Sequence, residues 1–235
     1  MRSEARQLTL SLDHPESFAR EDFLSGASNA HALALIDAWP HWPHRAAVLV
    51  GPESCGKSHL AAVWAQASGA RRIAARALSE AAVPAALATG ALVIEDLAAA
   101  GFDERALFHL LNLAREQEDF LLLTARTAPS GWTFAIRDLG SRLTALPFVT
   151  ILPPDDLLLR ALLVKLFADR QLAVDEALVS YLAVRIDRSF AAARGVVARL
   201  DEDAMRRGRP LNRALAADIL KHQAVGATAI DPSLQ

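Results

Sequence analysis

The hydrophobic positions change rhythm along the chain, and each change predicts an element. Residues 1 to 20 are polar apart from Leu8, Leu10, Leu12, Phe18 and alanines, and "RQLTLSLD" alternates its leucines as an extended segment does. A helical period starts after Ser28-Asn29 and runs through Ala30, Leu33, Ala34, Leu35 and Ile36 to Trp39, where Pro40 and Pro43 end it. "RAAVLVG" then reads as a strand covered on both faces, being short and continuously apolar. Further strands are expected at "ARRIAA" (70–75), "ALVIE" (91–95), "FLLLT" (120–124) and "PFVTI" (147–151). Helices are expected at about 57–67, 78–88 and 103–118, the last with Leu107, Leu110, Leu111 and Ala114 on one face. Strand and helix alternate, which predicts a three-layer α/β domain with a mainly parallel sheet over residues 21–152.

After "LPPDD" no further strand is expected. Asp155 or Asp156 can cap a helix bearing Leu158, Leu162 and Leu166, and helices near 175–186, 189–207 and 211–222 follow. Residues 153–222 therefore predict a small all-helical domain, with 1–20 a flexible leading segment and 223–235 a frayed tail.

Composition narrows the picture. The chain has 235 residues, 52% of them hydrophobic, enough for a substantial core. Its 25 basic and 27 acidic residues leave a net charge of −2, so nothing in the overall balance draws it to nucleic acid. The cluster Arg206, Arg207, Arg209 and Arg213 lies beside Asp201, Glu202 and Asp203 and reads as a solvated helix end. One cysteine, Cys55, excludes an internal disulfide framework. There is no signal-like apolar start and no membrane-length apolar run, so a cytoplasmic protein with no membrane partner is expected.

The strongest chemical signal is "GPESCGKS", Gly51, Pro52, Glu53, Ser54, Cys55, Gly56, Lys57 and Ser58, which fits G-x-x-x-x-G-K-[ST] between a strand and a helix. Such a loop surrounds phosphate oxygens with backbone N–H groups at a helix N-terminus. Lys57 would reach the β and γ phosphates and Ser58 would ligate Mg²⁺. Cys55 has no base or metal cluster near it in sequence and reads as an incidental small residue. At the end of "ALVIED" the metal role is expected on Glu95, with Asp96 secondary; the order is the reverse of the Asp-Glu pair associated with vigorous hydrolysis. Helix capping by Asp96 is the alternative. Thr124, ending "FLLLT", can hydrogen-bond a γ-phosphate or lytic water, or serve only as a strand-end residue.

Several stretches together resemble the DnaA-related AAA+ proteins, in particular their regulatory branch: "QLTLSLD", "DFLSGASNAHAL", "GPESCGKSHL", "LVIEDL", "LLLTAR", "DLGSRL", "PDDLLLRALLVKLFADRQL" and "LNRALAADIL". The resemblance runs from residue 7 to residue 220. It implies an AAA+ P-loop domain followed by a helical lid, binding ADP or ATP with Mg²⁺. Phe23, Gly26 and Asn29 would border the adenine, with His59 beside the P-loop, and Arg142 in "DLGSRL" would be an arginine finger reaching nucleotide on another subunit. The family's lid sensor arginine is replaced by Ala191-Ala192, which leaves Arg188 and Arg194 as candidates to substitute for it.

Gln7, Leu8, Leu10 and Leu12 resemble the family's clamp-binding peptide, the alternative being a strand edging the protein's own sheet. The implied partners are the β-subunit sliding clamp and the initiator DnaA, with DNA approached only through the clamp and self-association left open. The implied activity is negative regulation of replication initiation, by stimulating hydrolysis of initiator-bound ATP with weak or no intrinsic ATPase. Two other classes remain: an adaptor or DNA-loading module that recruits a partner without stimulating hydrolysis, and an autonomous ATPase.

Overall fold

The computed structural model describes residues 18–98, 101–208 and 210–227. Five parallel strands, β1 (Ala46–Val50), β2 (Arg71–Ala74), β3 (Ala91–Leu97), β4 (Phe120–Ala125) and β5 (Phe148–Thr150), form one sheet in the order β2-β3-β4-β1-β5. The strand periodicity is visible in the packing. Val48, Val50, Leu92, Ile94, Leu121 and Leu123 join the core on one face, while Ala47, Leu49, Ala91, Val93 and Leu122 join the core on the other. Continuous apolar runs are what such double burial demands.

Helices α1 (Ala30–Asp37) and α2 (Lys57–Ser68) cover the second face, where Trp64 is fully buried and stacks on Trp42 at 5.2 Å. The first face is covered by α3 (Val83–Ala86), α4 (Glu104–Gln117) and α5 (Arg137–Ala145). Helix α4 is capped by Asp103, whose carboxylate accepts from the N–H groups of Arg105 and Ala106, and it buries Leu107, Leu110 and Leu111 as its period predicts.

Two regions differ from expectation. The helix expected at 78–88 is a 3₁₀ turn at Glu80–Ala82 followed by the single turn α3. Pro84 explains the break, because a ring lacking an N–H fits only the first turn of a helix. Helix α5 was not foreseen. It is anchored by only two buried leucines, Leu139 and Leu143, and contains Gly140. The structure accounts for that glycine: a Cβ there would stand 2.8 Å from the Phe134 ring.

Helices α6 (Asp156–Asp169), α7 (Glu176–Ala183), α8 (Phe190–Arg207) and α9 (Arg213–Ala227) enclose a third core around Leu159, Leu163, Phe167, Leu182, Val197 and Leu200. Side-chain caps start all four: Asp155 on Leu158 N–H, Asp175 on Leu178 N–H, Ser189 on Ala192 N–H and Asn212 on Leu215 N–H. Helix α9 continues to Ala227, beyond the expected end at 222. Two contacts tie this helical unit to the sheet unit. Lys165 pairs with Asp22 at 2.7 Å, and the Phe190 N–H donates to the Ser54 carbonyl at 3.1 Å.

Asp119, between α4 and β4, gives a pH-dependent test of this packing. One carboxylate oxygen is buried with no hydrogen-bond partner, and burial, opposed by the charge of Arg45, raises its pKa. The folded state therefore holds that proton more tightly than the unfolded chain. The resulting stabilisation is full below the unfolded pKa of about 3.9 and is lost as pH rises through the folded value. Asp119→Asn is expected to raise the melting temperature at pH 7 and to leave it unchanged near pH 3; an equal shift at both values would show that the carboxylate charge is not the cause.

Candidate functional site

The chain leaves the carboxyl end of β1, between β4 and the edge strand β5, at Gly51; ligands of open α/β folds are held at the carboxyl ends of the strands. Gly51 has no room for a side chain: a Cβ would lie 2.5 Å from the Ile151 carbonyl oxygen and 2.7 Å from Cys55 Sγ. Ser54 (φ 56°) and Gly56 (φ 103°) take left-handed conformations that fold the loop back on itself. Helix α2 then starts with no side chain capping its N-terminal amides, which leaves those donors for an anion. Lys57 is buried, and its Nζ donates to the carbonyls of Gly51 (2.8 Å) and Pro52 (2.6 Å), so its ammonium is held inside the loop. Cys55 is buried beside it, and burial pushes the thiol pKa up against the opposing influence of Lys57. That favours an inert neutral thiol.

A cavity of about 330 Å³ opens over this loop, lined by Glu53, Ser54, Gly56, Lys57, Ser58, His59, Asp96 and Arg194 from the predicted set. The two expected carboxylates are placed differently. Asp96 lines the cavity, whereas Glu95 is absent from the lining and is held by Arg72 of β2 at 2.8 and 2.5 Å. The cause lies in the strands. Parallel pairing sets Ala74 beside Glu95, and a register irregularity between Ile94 and Leu97 turns Asp96 to φ 57°.

Thr124 stabilises that turn, its hydroxyl accepting the Asp96 N–H at 3.0 Å while 1% exposed. Thr124→Val, which keeps the shape and removes the acceptor, is expected to cost about 1–3 kcal/mol in urea unfolding. Thr124→Ser should cost less than half of that; equal losses would mean that the hydroxyl does not hold the turn.

A second cavity, of about 470 Å³, lies between residues 18–24 and helices α6 and α8. Phe23 and His59 line it, their rings edge-to-face at 5.2 Å. Gly26 and Asn29 do not line either cavity. Asn29 accepts from the Gly26 N–H (2.8 Å) and donates to the Leu24 carbonyl (3.0 Å), bracing the loop from within. Gly26 lets that loop approach α6, since a Cβ would stand 3.2 Å from Leu158. Arg194 lines both cavities, whereas Arg188 lines neither and pairs with Asp156 at 2.7 Å.

Sequence reasoning missed Phe18, Asp22, Arg126, Lys165 and Phe190 as lining residues. Arg126 carried a signal, as the first residue beyond the carboxyl end of β4. The others come together only through packing of the helical unit.

Arg142 stands on α5, outside both cavities, with its guanidinium over the Phe108 ring at 5.1 Å. Of the basic cluster near the helix end, Arg206 pairs with Asp203 and Arg213 lies over the Tyr181 ring at 5.0 Å. Gln7, Leu8, Leu10 and Leu12 lie outside the described residues. No described helix is long and apolar enough to cross a membrane.

No family model matches the sequence, and no curated protein matches it significantly. Solved structures do match. Domain III of the replication initiation protein DnaA from Thermotoga maritima has a TM-score of 0.71 at 16% identity, over 87% of this chain and 96% of that one. A RuvB variant from the same organism has a TM-score of 0.69 at 16% identity, over 87% and 72%. AMPPCP-bound DnaA from Aquifex aeolicus has a TM-score of 0.63 at 17% identity, over 78% and 65%. The parallel five-stranded sheet with its surrounding helices is thus the AAA+ fold that DnaA and RuvB share.

Proposed function

We propose that this chain is a DnaA-related AAA+ regulator of the Hda type, a cytoplasmic negative regulator of replication initiation that stimulates hydrolysis of ATP held by the initiator DnaA. The observation that carries the reading is the separation of the P-loop cavity from Arg142, the arginine that the motif resemblance singles out. The P-loop, Lys57, Ser58 and Asp96 meet at one cavity, while Arg142 stands on another element outside it. A guanidinium that does not serve its own chain's nucleotide is suited to another subunit's.

The chain's own cavity fits an adenine nucleotide, ADP or ATP. Backbone N–H groups of the loop and of the α2 N-terminus would hold the phosphates, Lys57 would neutralise them, and the cavity beside Phe23, His59 and Arg194 would take the base and ribose. Among the described residues no group of three or more His, Cys, Asp or Glu could hold a metal ion. The hard oxygen donors of Ser58 and Asp96 instead suit Mg²⁺ that takes its remaining ligands from phosphates and water. Bound there, Mg²⁺ would supply charge neutralisation for the phosphates. Glu95 is committed to Arg72, so of the two carboxylates ending β3 only Asp96 lines the cavity, which supports weak intrinsic hydrolysis. The nucleotide then acts chiefly to order the chain.

Gln7, Leu8, Leu10 and Leu12 would attach the chain to the β-subunit clamp on DNA, the leucines filling apolar pockets and Gln7 making directional hydrogen bonds. Attachment raises the effective concentration near the initiator. The test is a clamp-binding measurement on the full chain with Leu8→Ala and Leu12→Ala combined. Each buried leucine side chain is worth about 1.5–3 kcal/mol, so affinity should fall by roughly 100-fold or more. Unchanged affinity would remove the clamp from the reading.

A further inference from the structure

Arg142 is supported from below. Its guanidinium carbon lies 5.1 Å from the centroid of the Phe108 ring, and Phe108 is half-buried on α4 against the core that α4 and α5 share. Four residues earlier, Glu104 accepts hydrogen bonds from the N–H groups of Ala135 (3.1 Å) and Ile136 (2.8 Å), the residues that lead into α5. Residues four apart lie on one face of a helix. One face of α4 therefore fixes both the entry of α5 and the charged group that α5 carries.

The chemistry of the stack suits a group that must act on phosphate. A guanidinium drawn to an aromatic ring is held by its charge rather than by a hydrogen-bond acceptor, which leaves N–H donors for phosphate. A free arginine would lose rotamer freedom on reaching a triphosphate. One already resting on a ring loses less, and its fork arrives closer to the productive orientation.

We infer that Phe108 is a positioning residue for Arg142, an inference that rests on the role in trans proposed above. Phe108 acts through Arg142 and touches no nucleotide of its own chain, since it lines neither cavity.

The test compares the full chain with its Phe108→Leu and Phe108→Tyr variants, each titrated against a fixed amount of initiator–ATP with clamp on DNA. Phe108→Leu is expected to lower the maximal hydrolysis rate about three- to tenfold, the worth of a partly desolvated cation–π contact. The half-saturating concentration and the binding of a fluorescent ADP to the chain's own site should stay within twofold of the unsubstituted values. Phe108→Tyr, which keeps the ring, should restore the rate. A full maximal rate for Phe108→Leu would overturn the inference, as would failure of tyrosine to rescue. If the unsubstituted chain itself gives no stimulation, the role in trans fails and takes this inference with it; stimulation that is indifferent to Phe108 refutes this inference alone.

Discussion

Arg142→Ala is expected to abolish stimulation of initiator-bound ATP hydrolysis while leaving clamp binding and the chain's own nucleotide affinity intact. The expected loss is large because an arginine finger contributes on the order of 10³–10⁵ to the rate of phosphoryl transfer. Loss of a surface ion pair would cost at most about 1 kcal/mol. Arg142 makes its described aromatic contact with Phe108 and lies outside the cavity that Lys57 and Ser58 line, so its removal should not disturb nucleotide held there. Arg142→Lys is expected to recover little, because a point charge lacks the planar fork that grips two phosphate oxygens. The measurement is the rate of conversion of initiator–ATP to initiator–ADP, paired with clamp binding of the same variant. A rate above half of the unsubstituted value would take Arg142 out of the mechanism.

The second large effect concerns Lys57. Its ammonium is buried and hydrogen-bonded to the carbonyls of Gly51 and Pro52, so the loop is already folded around the charge that phosphate requires. Lys57→Ala removes charge-assisted hydrogen bonds worth about 1.5–3 kcal/mol each. Fluorescent ADP should therefore bind roughly 100-fold more weakly. The loop carbonyls also lose a donor, so a moderate fall in melting temperature should accompany the change. Lys57→Arg should restore neither fully, because a longer planar group does not fit the space between the two carbonyls. Equal ADP affinity in Lys57→Ala and the unsubstituted chain would show that the cavity is not a phosphate site.

Much of this site was legible because its signal is contiguous. Eight successive residues, Gly51 to Ser58, carry the geometry of the loop, and the flanking strand and helix have clear periods. The carboxylate assignment was not legible. Whether Glu95 or Asp96 faces the cavity depends on the pairing of β2 with β3, on Arg72 across that pair, and on a turn that Thr124 holds from β4. No neighbour in sequence reports any of these.

The choice between Arg188 and Arg194 had the same character. Both lie within a turn or so of the α8 start, and only the direction of that helix over the P-loop brings Arg194 to the cavities and sends Arg188 to Asp156. The motif places Asn29 beside the base, and in the structure its amide bonds within its own loop. Helix α5 escaped notice because two leucines and a glycine make a weak helical signal, its position being set by Glu104 and Phe134 from outside the segment.

The most direct measurement is hydrolysis of ATP bound to the initiator, followed with clamp loaded on DNA and with the full chain present or withheld. The account predicts rapid conversion only when chain and clamp are both present, with Arg142→Ala indistinguishable from omission. Equal conversion with and without the chain would contradict it.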